Sequence, residues 1–136
     1  MSKSAYIKLV PASKQKELTL HTVKELLLYY QEMTQLTGKQ LNWEYGNAAF
    51  PYELIEREDN GRPYLLLQGK DHLYHYLMLG VGQDAEQMPQ VQLVLPDRAT
   101  HGDQSKANEL SRFLAKQLQG ELKMFNGRTM YFYKRK

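Results

Sequence analysis

The chain of 136 residues contains no cysteine. That excludes disulfides and thiolate metal sites and fits a reducing compartment, so a cytoplasmic location is expected. No stretch approaches the roughly twenty apolar residues needed to span a bilayer, and no membrane association is expected. The opening MSKSAYIKLVP holds no apolar segment of signal-peptide length, so an unprocessed N-terminus is expected. Tryptophan occurs once. Charge of one sign is scarce as well: 18 Lys and Arg against 15 Asp and Glu leave +3. So small an excess does not mark a nucleic-acid binder, because nonspecific affinity grows with the number of phosphates neutralised.

Familiar catalytic signatures are missing too. The chain has no GxxxxGK[ST], no GxGxxG after a strand, no HExxH, no GxSxG and no calcium-loop spacing. Gly80-Val81-Gly82 reads as the end of a strand and is too short to imply phosphate binding. No cofactor and no metal are expected.

What remains is an ordinary globular composition, 42% apolar and 24% charged, with an excess of tyrosine at 10 residues. The length suits a single domain spanning 1–136. Ala5 to Val10 alternates and stops at Pro11, which predicts a first strand. Thr19 or Thr22 then caps a helix, and Thr22 with Glu25 has capping-box spacing. Gly38 is the expected stop, about one residue past Thr37. Val23, Leu26, Leu27, Tyr30 and Met33 share one arc of that helix, widened by Tyr29 and Leu36, while Leu28 is a stray surface leucine.

Strands follow. YELIERE and PYLLLQG flank Asp59-Asn60-Gly61, a strong hairpin signal because Asn and Gly accept the left-handed conformation cheaply. HLYHYLMLGVG predicts a third strand and VQLVL, before Pro96, a fourth. A second helix is expected from near Asp103 to Gly120, with Ala107, Leu110, Phe113, Leu114 and Leu118 as its apolar stripe. The last segment, ELKMFNGRTMYFYKRK, is a hairpin. A three-residue loop of Phe125, Asn126 and Gly127 pairs Leu122 with Met130 and segregates apolar from polar side chains better than a two-residue turn. The predicted class is α+β, a mostly antiparallel sheet with both helices packed on one face, in the order β-α-β-β-β-β-α-β-β.

The segments SAYIKLVPAS, NWEYGNAAFPYE and THGDQSKANELSRFLAKQL…FNGRTMYF resemble a small bacterial family of single-domain proteins of unknown function, over the whole chain. That resemblance implies a stand-alone α+β domain and carries over no catalytic residues.

Three stretches bear on function. HLYH sets His72 and His75 three apart, a spacing that on a strand sends them to opposite faces. His75 is therefore expected to be a hydrogen-bonded, part-buried histidine on the leucine face, not a metal ligand. DRATHGDQSKANE, residues 97–109, leads into the second helix, where Arg98, His101 and Lys106 could complete an anion site at the helix N-terminus. Thr100 and Asp103 are natural capping residues that would occupy the same N–H groups. Ser, His and Asp this close in sequence do not make a triad, which tertiary geometry assembles.

NWEYGNAAFPYE gathers Trp43, Tyr45, Phe50 and Tyr52 with Glu44 and Glu53. It reads either as an aromatic-lined pocket or as a loop folding its rings over the end of the sheet, with Pro51 holding Phe50 extended. The leading expectation is a non-enzymatic binding or protein-interaction domain using this 42–53 surface, with a protein or small-molecule partner, acting as a monomer or weak homodimer. One alternative is a small hydrolase or transferase acting on an anionic substrate through the 97–106 loop, with His101 as base. Another is weak nucleic-acid binding through the basic end, where Tyr131, Phe132 and Tyr133 precede Lys134, Arg135 and Lys136.

Overall fold

The structure, a computed structural model, describes residues 3–11, 13, 17–41, 51–70, 72–83 and 85–133, the side chains of 35–41 excepted. The described residues form seven strands and two helices in the order the sequence patterns predict. They are β1 (Lys3–Lys8), α1 (Leu20–Leu41), β2 (Tyr52–Asp59), β3 (Arg62–Gly69), β4 (Tyr76–Gln83), β5 (Pro89–Leu95), α2 (His101–Leu118), β6 (Glu121–Lys123) and β7 (Thr129–Tyr131). All seven strands form one antiparallel sheet in the order β2-β3-β4-β5-β1-β6-β7.

Strand alternation decides what the sheet buries. Ala5 and Ile7 of β1, Leu65 and Leu67 of β3, Leu77 and Leu79 of β4, Val91 and Leu93 of β5 and Leu122 of β6 all point to one face and are buried. Both helices cover that face, with Val23, Leu27 and Tyr30 from α1 and Ala107, Leu110, Leu114 and Leu118 from α2 in the same core. Each fully buried leucine stabilises the fold by about 1.5–3 kcal/mol. Leu28 stands exposed, as its position among polar neighbours predicts.

The first hairpin turns on Asn60 (φ 52°) and Gly61 (φ 79°), two left-handed residues in succession. That is the type I′ pattern whose twist matches the flanking strands. The last hairpin has the predicted register, Leu122 opposite Met130. Gly127 takes φ 87°, and the Asn126 side chain accepts from the Arg128 N–H at 2.9 Å.

Four local expectations are corrected. Helix α1 begins with Thr19 as its cap, whose hydroxyl accepts from the Thr22 N–H at 3.2 Å. Glu25 pairs instead with His21, one turn back, so the Thr22–Glu25 box does not form. The helix also runs through Gly38 to Leu41, since a single interior glycine costs only about 1 kcal/mol. Strand β4 starts at Tyr76 because the chain first tucks under β3, the Gly69 N–H donating to the His75 carbonyl at 2.8 Å. His72 and His75 are therefore exposed residues of the connection, and the His75 ring lies against Tyr76 at 4.7 Å. Helix α2 ends at Leu118, two residues short of the expected Gly120, with Gln119 as its left-handed cap (φ 53°). Gly120 is needed for close packing, since a Cβ there would sit 2.6 Å from the Lys8 carbonyl oxygen of β1.

Candidate functional site on the outer face of the sheet

The stretch 97–106 builds a helix cap. The Thr100 hydroxyl accepts from the Asp103 N–H at 3.0 Å, and the Asp103 carboxylate accepts from the Thr100 N–H at 3.1 Å. Asp103 is fully buried and accepts two further bonds, from the Tyr52 hydroxyl at 2.5 Å and the His75 N–H at 2.9 Å. The Thr100 hydroxyl in turn donates to the Leu73 carbonyl at 2.6 Å. One carboxylate thus holds together β2, the β3–β4 connection and the start of α2. Gly102 lets that connection approach, for a Cβ there would lie 2.7 Å from the Tyr74 ring.

Arg98, His101 and Lys106 of that stretch are not brought together. Arg98 and His101 are exposed where the chain enters α2. Lys106 lies five residues beyond His101, about 140° around the helix. Its ammonium pairs with Glu109, donates to the Tyr30 hydroxyl at 3.2 Å and stands 5.6 Å from the centre of the Tyr30 ring. Tyr30 donates to the same Glu109 carboxylate at 2.7 Å. Burial acts to raise the Glu109 pKa, but the hydrogen bonds from Lys106 and Tyr30 and the ammonium charge outweigh it and hold it below the ordinary value. This cluster joins α1 to α2.

Of the aromatic segment, Trp43, Tyr45 and Phe50 lie outside the described residues. Tyr52 is fully buried, its hydroxyl on Asp103 and its ring edge-on to Tyr74 at 5.5 Å. No three His, Asp or Glu side chains converge as a metal cluster among the described residues.

The face of the sheet opposite the helices offers more. Along β4 the outward positions are Tyr76, Met78, Gly80 and Gly82, so two glycines follow one another on the outer side of a central strand. Glycine inside a strand costs roughly 0.5–1 kcal/mol against alanine, so its presence calls for a reason. Elsewhere the fold supplies one. Gly61 and Gly127 need positive φ, whereas Gly69, Gly102 and Gly120 each meet a neighbour within 3 Å of an added Cβ. Gly80 and Gly82 have neither: their φ is not positive, and a Cβ at either would meet nothing within 4 Å. Nothing in the described fold asks for them.

Around this bare strip the neighbouring strands raise walls. Gln92 and Gln90 of β5 are the direct partners of Gly80 and Gly82. On the other side the β3–β4 ladder ends at Leu65–Leu79, and Tyr64 and Arg62 line the hollow from the stretch of β3 beyond it. The result is a hollow of about 400 Å³. A second hollow, of about 420 Å³, continues it across β1 and β6 and shares Gln83 and Gln90 with it. Tyr6, Lys8, Lys123 and Glu121 line that part. Gln92 is held in place, its amide nitrogen 3.0 Å from the Ser4 hydroxyl and 3.4 Å from that of Tyr6. With Asp59 and Arg62 at the far end, the described lining residues include three cations and two carboxylates. The sequence signal was Gly80-Val81-Gly82. Taken as a strand end it says little, but inside a strand that continues to Gln83 it puts two bare positions on one face.

A family model described as Domain of unknown function (DUF1885) matches residues 3–134. Among solved structures, the crystal structure of a protein of unknown function from Bacillus stearothermophilus is 44% identical, with a TM-score of 0.59, covering 88% of this chain and 92% of that one. A search of curated proteins finds no match. With residues 3–134 matched by that model, the chain belongs to the DUF1885 family of unknown function.

Proposed function

We propose that the protein is a non-catalytic binding domain whose ligand lies on the outer face of the sheet, over Gly80 and Gly82. The observation that carries this reading is the pair of interior-strand glycines that neither backbone conformation nor packing requires. Where the fold does not need a missing side chain, a ligand that must approach the backbone does. The walls supply what a binding site uses: two tyrosine rings, amides that both donate and accept, and a few charges. No helix among the described residues is long and apolar enough to cross a membrane. The lack of cysteine supports a cytoplasmic setting for this role, which fractionation of the producing cell would check.

The test is a fragment screen read by amide chemical shifts, run on the natural protein and on Gly80→Val. Valine suits a strand and fills the open space above it. Fragments that shift Gly80, Gly82, Gln90 and Gln92 and are lost in the variant support the reading. Fragments that bind the variant equally well contradict it.

A further inference from the structure

Resting on the binding role just proposed, we infer that the ligand is an extended peptide segment of a partner protein, taken up as an added strand along the free edge of β4. Strand alternation leads there. The Gly69 N–H donates to the His75 carbonyl, so the odd-numbered residues of β3 and β4 turn their peptide groups toward one another. Leu67 pairs in this way with Leu77 and Leu65 with Leu79, and the ladder ends there. Next in register Pro63 would meet Val81, but proline has no N–H to give. The step between them, Tyr64 against Gly80, needs the Val81 N–H on the Pro63 carbonyl and is absent from the ladder as well. Val81, and Gln83 two residues on, therefore turn N–H and C=O groups away from β5 with no partner on β3.

What these groups face is the hollow of about 400 Å³, lined by Arg62, Pro63 and Tyr64 on one side and by residues 80–83 on the other. A donor and an acceptor on each of two residues about 7 Å apart form the repeat of a strand edge, which the main chain of another strand matches. The glycines fit the same occupant. Side chains of an added strand stand beside those of its neighbour, and a large ring can lie over a glycine that has none. The open space above Gly80 and Gly82 thus takes the outward side chains of the peptide, between Tyr64 and Gln92.

The outer edges of the sheet are guarded, and this inner one is not. Strand β2 carries Glu53, Glu56, Arg57, Glu58 and Asp59 along its length, and β7 is only three residues long. Charge and shortness both discourage strand addition. Across the hollow Pro63 does the same for β3. Gly80-Val81-Gly82-Gln83 has no charge and no proline, stays a strand throughout, and exposes Gly82 and Gln83.

Selection from a phage-displayed library of random linear dodecapeptides on the natural chain tests this, followed by calorimetry and amide-shift titration with the enriched peptides. These should shift Gly80, Val81, Gly82 and Gln83 and share a large, mostly aromatic side chain. Methylating the peptide's backbone nitrogens one at a time should cut affinity by about tenfold or more at alternate positions only, since every second N–H of a strand faces its neighbour. Gly80→Val should lower affinity by a similar factor. Losses at no position, or at several in a row, would mean recognition by side chains or as a helix and overturn the added strand. Shifts confined to another surface overturn it too, as does a selection that enriches no peptide. Self-association of the natural chain that shifts residues 80–83 would make a second copy the occupant and also overturn it. If small-molecule fragments still bind over Gly80 and are lost in Gly80→Val, the peptide fails while the binding role stands. If fragments bind only elsewhere, both fail.

Discussion

The hydroxyl of Tyr52 donates a 2.5 Å hydrogen bond to the carboxylate of Asp103, both residues fully buried and 51 positions apart in the chain. It closes edge strand β2 onto the cap of α2. Tyr52→Phe removes one of the carboxylate's donors without making a cavity and should cost about 1–3 kcal/mol, the usual penalty for leaving a buried polar group under-satisfied. Asp103→Ala strips the acceptor from Tyr52, His75 and Thr100 at once and should cost about 3 kcal/mol or more. Urea denaturation of both variants checks this. A Tyr52→Phe curve superimposed on that of the natural protein would show that the bond contributes nothing net.

Glu109 supplies a pH dependence. Its folded pKa is depressed, so the stability it contributes is full above the ordinary glutamate value of about 4.3 and fades as the pH falls through the lower folded value. Glu109→Gln should therefore be less stable than the natural protein near neutral pH, and the gap should close on acidification. A gap that widens toward low pH would give the shift the opposite sign.

How much of this was legible in the sequence differs from element to element. Period-2 and period-3.6 patterns located the described strands and helices, and the segregation of apolar from polar side chains selected the last register. Boundaries failed where tertiary contact overrode local preference. The β3–β4 connection is held by the Gly69 N–H on the His75 carbonyl and by Asp103 on the His75 N–H, and no neighbour in sequence announces either bond. Lys106 is engaged by Glu109, an i,i+3 neighbour the sequence does show, and by Tyr30, which lies on another helix 76 residues away and is not legible in the sequence. The outer-face hollow was hidden for the same reason: Gly80 and Gly82 mean little until their cross-strand partners, Gln92 and Gln90, are known.

The final hairpin depends on one backbone conformation. Gly127 sits at φ 87° with open space around it, so Gly127→Ala adds no clash and its whole effect is backbone strain. The expected cost is about 1 kcal/mol. A chemical denaturation midpoint unmoved by the substitution would mean that the loop adopts another turn in solution.

Gly120 makes a sharper case by sterics alone. Alanine there would press its Cβ to 2.6 Å from the Lys8 carbonyl oxygen, a backbone atom at the end of β1. Gly120→Ala should therefore destabilise by about 1–3 kcal/mol, in the range of overpacked sites. Amide exchange should quicken first in β6 and neighbouring β1. Exchange unchanged in both strands would indicate that the α2–β6 corner gives way without loss.

The central claim is that Gly80 and Gly82 serve a ligand and not the fold, and the stability of Gly80→Ala/Gly82→Ala tests it without any knowledge of that ligand. If the fold has no need of these glycines, two alanines on an open strand face should leave the denaturation midpoint unchanged or raise it. The gain should be up to about 0.5–1 kcal/mol for each residue, from reduced chain entropy and better strand propensity. Equilibrium urea denaturation of the double variant beside the natural protein gives the answer. Equal or greater stability is the predicted result, and a loss of more than about 1 kcal/mol would contradict it by giving the glycines a structural reason of their own.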